Sequence, residues 1–440
     1  MSRVHVMGAG GAGMSGLARW YADTGWEVDG CDLSPGPVVR ALRQQGICVA
    51  MGHSPDHLPG ADRLIFSAAV PEDCPELRAA RRMGIPALRR SEALAELTEG
   101  RELAAVAGAH GKTTTTSMAG WALAGCGKDP TVMLGGQVPA WSGNYRPGAG
   151  PALVEADEYD RAFLRLRPDW ALVTSFAAEH LECYGSVERL EAAFEFFLEL
   201  TPPGGSVVLP ADLVRLARWA DRIGRRVVTT GPGGDVRVES LGSDGWGELY
   251  RVAGVRGRLP VPGALNLRNL ASAVALCREM GVAPADVAGA LEDYPGVCRR
   301  LERIGTLEGA SAVSDYAHHP EEVEAAIAAL RRVTRGSLGV VFQPHLYSRT
   351  GLLHREMGRA LAGADWSVVV PIYPARERPV EGVTSALVAD ACTGAGGVCT
   401  TCRLEELKAC LSGREADTVA FMGAGTIDRT ARELVGGGPS

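Results

Sequence analysis

The chain has no apolar run approaching the roughly 18 residues that a bilayer-spanning helix needs, which excludes a transmembrane helix. It has no basic-then-apolar leader either. The N-terminus enters a strand-like run, Val4–Met7, almost at once, so a cytoplasmic protein is expected. There is no internal repeat of short period and no low-complexity segment. Charge excess of either sign is small, at −7. That argues against nucleic acid as a main partner, while leaving room for local basic pockets that take phosphate. Cysteine is present, but paired cysteine signals are not. The eleven cysteines are an odd number scattered through apolar segments, and they read as small buried hydrophobes. Cys399 and Cys402 have zinc or redox spacing, yet neither a second pair nor a histidine cluster joins them.

What is present is the composition of a globular protein, 46% hydrophobic and 22% charged. A length of 440 residues supports two to four domains, each with its own core. The 56 glycines suit many tight strand-to-helix turns. Short buried strands are expected at Val4–Met7, Glu27–Gly30, Arg63–Ser67 and Pro86–Leu88, with helices at Met14–Asp23, Pro37–Gln45 and Cys74–Met83 between them. Such alternation predicts a parallel sheet covered by helices. A second alternating region follows, with a small antiparallel sheet expected within Gly245–Pro260 and a helix over Asn266–Met280. A third has strands near Ala310–Ser314, Leu338–Phe342, Ser367–Ile372 and Thr418–Met422. Joints are expected near Leu97–Arg101 and Tyr294–Arg300.

The densest chemical signal is Ala104–Thr116. An apolar strand leads into Gly108-Ala109-His110-Gly111-Lys112-Thr113-Thr114, and a helix follows. Backbone N–H groups at a helix N-terminus face an anion there, and the lysine neutralises it. Thr113 falls where a loop hydroxyl reaches Mg²⁺. The standard motif has glycine where Val106 stands, so this is a variant loop.

An earlier loop, Gly8-Ala9-Gly10-Gly11-Ala12-Gly13, fits G-x-G-x-x-G between a strand and a helix. Asp29 and Asp32 end the next strand, where a ribose-binding acid belongs. Alone, this motif fits a dehydrogenase, a nucleotide-sugar site or a structural turn. A second phosphate loop in the same chain disfavours the dehydrogenase.

Glu155-Ala156-Asp157-Glu158-Tyr159-Asp160 brings four carboxylates to a strand end. Such hard oxygen ligands suit Mg²⁺, although a solvated acidic loop has the same composition. His180 follows another strand and is a candidate second metal ligand or proton carrier, or simply a packed histidine. In the third region Asp315-Tyr316-Ala317-His318-His319-Pro320 and Gln343-Pro344-His345-Leu346-Tyr347-Ser348-Arg349-Thr350 each follow a strand. Ionisable groups at two strand ends of one sheet face a common crevice. Either segment alone could be a capped helix start.

In this order these pieces resemble the Mur ligases of bacterial cell-wall synthesis. The resemblance rests on Gly8–Gly16, Ser67–Val70, Gly108–Thr116, Glu155–Asp160, Gly296–Glu302, Asp315–Pro320 and Phe342–Thr350, and covers nearly the whole chain. It implies an α/β protein of three domains. These are a Rossmann-like UDP-sugar domain (1–98), a central P-loop ATPase-like domain with a parallel sheet and a small antiparallel sheet (99–297), and a Rossmann-like C-terminal domain that closes over the site (298–440). It implies an ATP-dependent joining of L-alanine to the lactyl carboxylate of UDP-N-acetylmuramate through an acyl phosphate. Two alternatives stay open: a recycling ligase that adds a tripeptide to the same sugar, and a non-catalytic UDP-sugar-binding homologue. A monomer or homodimer is expected.

The resemblance also distributes roles. Gly8, Gly10, Gly11 and Gly13, with Asp32 and Ser67, would hold the uridine diphosphate sugar. Gly108, His110, Gly111, Lys112, Thr113 and Thr114 would hold ATP, with Asn266 and Asn269 at the adenine and Arg300 and Asp315 reaching the nucleotide. Thr113 and Glu155 would hold one Mg²⁺, and His180 would help hold a second. Tyr316, His318, His345 and Arg349 would face the amino acid and the reacting carboxylate. The chain departs from the family pattern at Ala109, Leu265, Ser175-Phe176, Glu179, Leu346, Arg376 and Thr426. Of these, Leu346 and Arg376 lie in segments that the family places near the acceptor.

Overall fold

The computed structural model describes residues 2–67, 69–141 and 143–436. Ala68, inside the Ser67–Val70 segment, and the last residues of the 298–440 region lie outside that set. No described helix is long and apolar enough to cross a membrane. The chain forms two compact units.

The first unit comprises Met1–Glu239, Arg251–Gly257 and Arg268–Pro295. It opens with strands β1 (Arg3–Met7), β2 (Glu27–Asp32), β3 (Cys48–Met51), β4 (Arg63–Phe66) and β5 (Ala87–Arg89), in spatial order β3-β2-β1-β4-β5. All neighbours in this sheet run parallel, as strand-helix alternation requires. Helices Ala12–Asp23, Pro37–Gln44 and Pro75–Arg82 fall within a residue or two of expectation. β3 was not anticipated. It is four residues long with only Val49 fully buried, too short for a periodicity signal.

The next sheet contains β6 (Leu103–Ala107), β7 (Thr131–Val138), β8 (Gly143–Arg146), β9 (Ala152–Glu155), β10 (Trp170–Val173), β11 (Ser206–Pro210) and β12 (Arg226–Thr230). Their order is β12-β11-β10-β6-β9-β7-β8. Every residue of β6 is buried, the pattern of a central parallel strand. The helix after it, Lys112–Gly125, begins with a lysine and four consecutive threonines, all four buried. Threonine is a modest helix former, so packing stabilises this first turn more than propensity does. A single apolar cluster runs from Val4 to Ala220 and spans both sheets. Within it Trp20 of the Ala12–Asp23 helix stacks on Tyr145 of β8, centroids 5.9 Å apart. That continuity is why residues on both sides of Leu97–Arg101 form one unit.

Strands β13 (Val238–Asp244), β14 (Gly247–Val252) and β15 (Val255–Leu259) make a three-stranded sheet in sequential order. Two-residue connections fit antiparallel neighbours. The second unit comprises Ser240–Tyr250, Arg258–Leu267 and Gly296–Ser440. Its main sheet holds β16 (Glu302–Leu307), β17 (Ala310–Asp315), β18 (Leu338–Phe342), β19 (Trp366–Val369), β20 (Cys399–Thr401) and β21 (Thr418–Met422), ordered β16-β17-β21-β18-β19-β20. β16 is antiparallel to β17 and the rest run parallel. Asp315 and Phe342 both pair with Met422 of β21. The chain therefore leaves β17 and β18 at the same level, one strand apart.

Candidate functional site

At the first glycine loop, Gly8 adopts φ +75° and donates its N–H to the Cys31 carbonyl at 2.8 Å. Gly10 donates to Asp32 Oδ2 at 2.8 Å, and a Cβ placed on Gly10 would come 2.9 Å from the same oxygen. Asp32 thus sits against the loop, as a ribose acid beside a pyrophosphate cradle does. Ser67 follows β4 next to Gly8, where an added Cβ would lie 3.5 Å from Ser67 Cβ. A Cβ at Gly13 would meet Arg90 Cδ at 2.8 Å. Gly11 is the extended residue that opens the helix, and no side chain caps it.

Arg90 connects this loop to the next region. Its guanidinium donates to Asp157 Oδ2 at 3.2 Å. Arg89 reaches Asp160 at 3.2 Å in the same way. Asn144 of β8 donates to the Ala12 carbonyl and lies 3.3 Å from Ser15 Oγ.

The second loop turns on Gly108 (φ +127°) and Gly111 (φ +84°). Neither tolerates a Cβ. At Gly108 it would collide with Thr174 Oγ1, and at Gly111 with Asn269 Oδ1. Asn269 is therefore placed against the loop. His110 is held at both backbone ends: its N–H donates to Ser175 Oγ at 2.8 Å and its carbonyl accepts from Thr174 Oγ1 at 2.6 Å. Thr114 lies buried in the first turn of the helix. Lys112 Nζ donates to the Gly108 carbonyl at 2.5 Å and to both Glu158 oxygens at 2.9 and 2.8 Å. Thr113 Oγ1 donates to Glu155 Oε2 at 2.9 Å, and the Gly135 N–H reaches the same oxygen at 2.7 Å.

Burial works against the charge on Lys112, but the Glu158, Glu155 and Asp157 carboxylates outweigh it and hold the ammonium above its ordinary pKa. Glu158 is only 3% exposed. Burial raises its pKa, opposed by Lys112. The expected ligand set divides. Thr113 and Glu155 are bonded, whereas His180 stands 3.8 Å from Glu158 Oε1 and groups with Glu158 and Glu179, one donor from each within 4.8 Å. His180 takes φ +56°, and the Tyr159 ring packs on it at 5.3 Å. Sequence reasoning gave Glu158 no role beyond its share in the acidic run suited to Mg²⁺. The signal available was its place three residues beyond Glu155, past the strand end.

In the second unit Asp315 is 6% exposed and accepts the N–H groups of Leu301 and Ala317, each at 2.7 Å. Burial raises its pKa, and the Arg300 charge and these bonds counter only part of that. Arg299 and Arg300 both lie over the Tyr316 ring, at 4.6 and 5.1 Å. His318 and His345, from the two strand ends, meet edge to face at 5.6 Å. Burial lowers the pKa of His318, and the Arg349 and Arg300 charges add to this against Glu322. Burial, His318 and Arg349 push His345 down to about 4. Arg349 Nη1 and His345 Nδ1 are buried without a hydrogen-bond partner. Leu346 precedes the Tyr347–Leu361 helix at φ +69°. Asn266 donates to the Pro262 carbonyl at 2.7 Å. Thr426 accepts from Gln343 Nε2 at 3.2 Å. The Cys399/Cys402 pair joins no cluster of metal donors among the described residues, and Cys402 Sγ donates to the Arg403 carbonyl at 3.2 Å.

Residues 3–102 match the family described as Mur ligase family, catalytic domain. Residues 106–277 match the Mur ligase middle domain, and residues 299–425 the Mur ligase, glutamate ligase domain. A UDP-N-acetylmuramate–L-alanine ligase of Halorhodospira halophila is 41% identical, covering 99% of this chain and 93% of its own. One from Kineococcus radiotolerans is 45% identical over 89% of this chain and 86% of its own. The crystal structure of the UDP-N-acetylmuramate–alanine ligase of Thermotoga maritima superposes with a TM-score of 0.86, at 30% identity and 99% coverage of both chains. A murein peptide ligase of Psychrobacter arcticus shares the fold, with a TM-score of 0.72 and 20% identity over 99% of this chain and 98% of its own.

Proposed function

The chain belongs to the Mur ligase family, and on that premise we propose that it joins L-alanine to the lactyl carboxylate of UDP-N-acetylmuramate, using ATP, in peptidoglycan precursor synthesis. The observation that carries this reading is one unit holding two phosphate cradles. Arg90 packs on Gly13 of the first loop and bonds Asp157, in the acidic segment whose Glu155 and Glu158 bond Thr113 and Lys112 of the second. A dehydrogenase needs only the first cradle.

The reaction is two displacements. The lactyl carboxylate attacks the γ-phosphorus of ATP, and ADP leaves. The alanine amine then attacks the acyl carbon, phosphate leaves, and the amine gives up a proton. Phosphoryl transfer asks the protein mainly for position and countercharge. Lys112 exchanges Glu158 for the β- and γ-phosphates. The N–H groups of Gly108–Thr113 at the helix N-terminus face the same anion. Asn269, against Gly111, and Asn266 serve the adenine. Thr113 and Glu155 offer hard oxygens 2.9 Å apart, a pair suited to Mg²⁺. Glu158, Glu179 and His180 form a second donor group. These residues would hold Mg²⁺, which would supply charge neutralisation between the two anionic reactants.

Arg349 has an unsatisfied guanidinium nitrogen and is a bidentate partner for the amino-acid carboxylate. His345 and His318 are neutral at pH 7 by the direction of their shifts, so either can accept the amine proton. In the second unit the family resemblance assigns Asp315 and Arg300 to the nucleotide and Tyr316 to the reacting carboxylate. The test is phosphate release in the presence of ATP, the UDP-sugar and each candidate acceptor, with the product weighed by mass spectrometry. A product one alanine heavier is expected. An adduct formed only with a tripeptide would replace this reading by the recycling ligase, and binding without turnover would replace it by the non-catalytic homologue.

A further inference from the structure

A second polar constellation lies in the first sheet, on the face covered by the Pro75–Arg82 helix. His5 projects from β1, Cys31 from β2, His57 from the short helix Pro55–His57 after β3, and Glu76 from the first turn of Pro75–Arg82. One donor atom from each of the four lies within 4.8 Å of the others. Glu76 is 0% exposed and His5 1%. Leu58, Leu77 and Cys74 of the surrounding apolar cluster close the chamber. A carboxylate in such a place is costly unless it is compensated.

The donors converge on the Glu76 carboxylate. His57 Nδ1 is 2.9 Å from Glu76 Oε1, His5 Nε2 is 3.0 Å from the same oxygen, and Cys31 Sγ is 3.3 Å from Oε2. Four-coordinate zinc with bonds of roughly 2.0–2.3 Å sets its donors roughly 3.3–3.8 Å apart, so the two imidazoles would draw back from Glu76 by a few tenths of an ångström to admit one. His5 also lies between two carboxylates. Its Nδ1 is 2.8 Å from Asp29 Oδ1, and Arg3 pairs with Asp29 and donates to the His57 carbonyl at 2.9 Å. An Nδ1–H bonded to a carboxylate leaves a lone pair on Nε2. That Nε2 lies 3.0 Å from a Glu76 oxygen, and Asp29 and Glu76 together favour a positive charge at this place, supplied by a proton on the ring or by a metal ion. A lone pair facing a carboxylate oxygen in an apolar chamber is repulsive without a cation between them. The carboxylate–histidine arrangement behind a metal ligand has this form.

We propose that His5, Cys31, His57 and Glu76 form a structural site for one divalent transition-metal ion of zinc chemistry. Thiolate and imidazole donors select such an ion over Mg²⁺. Four protein ligands leave no open position for catalysis. Binding releases to solvent the Cys31 thiol proton and the proton that Asp29 and Glu76 hold on His5, leaving both imidazoles neutral. His53, whose Nδ1 is 3.1 Å from Cys31 Sγ and 3.3 Å from Glu76 Oε2, lines the chamber. The ion would tie β1, β2 and the Pro75–Arg82 helix together beneath the glycine loop, because the Cys31 carbonyl receives the N–H groups of Gly8 and Ala9 at 2.8 and 3.1 Å.

The test uses the full chain and does not depend on ligase activity. After chelator treatment the protein is titrated with Co²⁺ and followed by absorbance. Saturation at about one equivalent is expected, with a thiolate-to-cobalt charge-transfer band and the intense visible bands of four-coordination. Zn²⁺ should displace the Co²⁺, and excess Mg²⁺ should not. Cys31→Ser should abolish the charge-transfer band. His57→Gln, at a partly exposed position, should weaken Co²⁺ binding at least about tenfold, with circular dichroism confirming the fold. No saturable binding, or a spectrum that neither variant changes, would overturn the proposal and leave a shared proton as the cation of this cluster.

Discussion

At the phosphate loop Lys112 is already bonded to Glu158 and Thr113 to Glu155. On the C-terminal sheet, by contrast, Arg349 keeps a buried guanidinium nitrogen with no partner, flanked by two histidines that burial holds neutral. The first region is a set of charges that neutralise one another internally. A ligand there gains by exchanging partners, so the net gain per bond is modest. The second region carries a cation with one buried nitrogen unpaired, and a ligand carboxylate would supply that bond. Leaving a buried donor unmade is more expensive than a typical bond is favourable. Nucleotide affinity should therefore respond to the internal competitor Glu158, and acceptor affinity to Arg349 itself.

The largest expected effect is at Lys112. Lys112→Ala should lower phosphate release by about 10³-fold or more, while calorimetric binding of the UDP-sugar stays within about twofold. Equal loss of both would erase the distinction between the two cradles. Glu158→Gln comes next. It leaves a largely buried ammonium without its carboxylate and should destabilise the ligand-free protein by about 3 kcal/mol. Saturating Mg²⁺ and ATP should narrow that gap in thermal melts, since phosphates replace the lost partner. An undiminished gap would mean that Lys112 does not change partners.

Arg349→Ala should raise the amino-acid KM roughly 10- to 100-fold, as a charged hydrogen bond of about 2 kcal/mol implies, and leave the ATP KM nearly unchanged. An unaltered amino-acid dependence would remove Arg349 from the acceptor site. The smallest effect concerns His345. Its folded pKa is about 4, below the ordinary 6.5. As pH falls below 6.5 the unfolded chain takes up the proton first, so the folded state loses stability between about pH 6.5 and 4. His345→Asn should remove up to about 2 kcal/mol of that acid loss, after allowance for partial exposure, and leave stability above pH 7 untouched from this source. Denaturant melts at pH 5 and pH 8 that show the same difference would contradict the shift.

Much of this was legible because local chemistry announced it. β18 and β21 occupy the expected Leu338–Phe342 and Thr418–Met422, since fully buried parallel strands are continuous apolar runs. Both glycine loops stood out because positive φ and close approach demand glycine. β3, β16 and β20 were not legible. β16 is an edge strand of alternating exposure whose sequence, Glu302–Leu307, reads as a loop, and β20 has only three residues. The partner of Lys112 was hidden because 46 residues separate it from Glu158. The cluster around Glu76 was hidden more deeply. His5 and Cys31 sit singly in apolar strands, and only the sheet order β2-β1-β4 places them side by side. The general reading of cysteines as buried hydrophobes describes Cys31 by burial and misses its neighbours.

Arg90 packs on Gly13 at one end and bonds Asp157 at the other. A ligand that moves this arginine at one end disturbs its bond at the other. If the UDP-sugar draws the guanidinium toward its pyrophosphate, the Asp157 carboxylate is freed beside the metal-binding acids. By linkage, nucleotide must then change the affinity for the sugar by the same factor that the sugar changes the affinity for nucleotide. One arginine in a short helix thus makes the order of substrate binding a matter of reciprocal cooperativity.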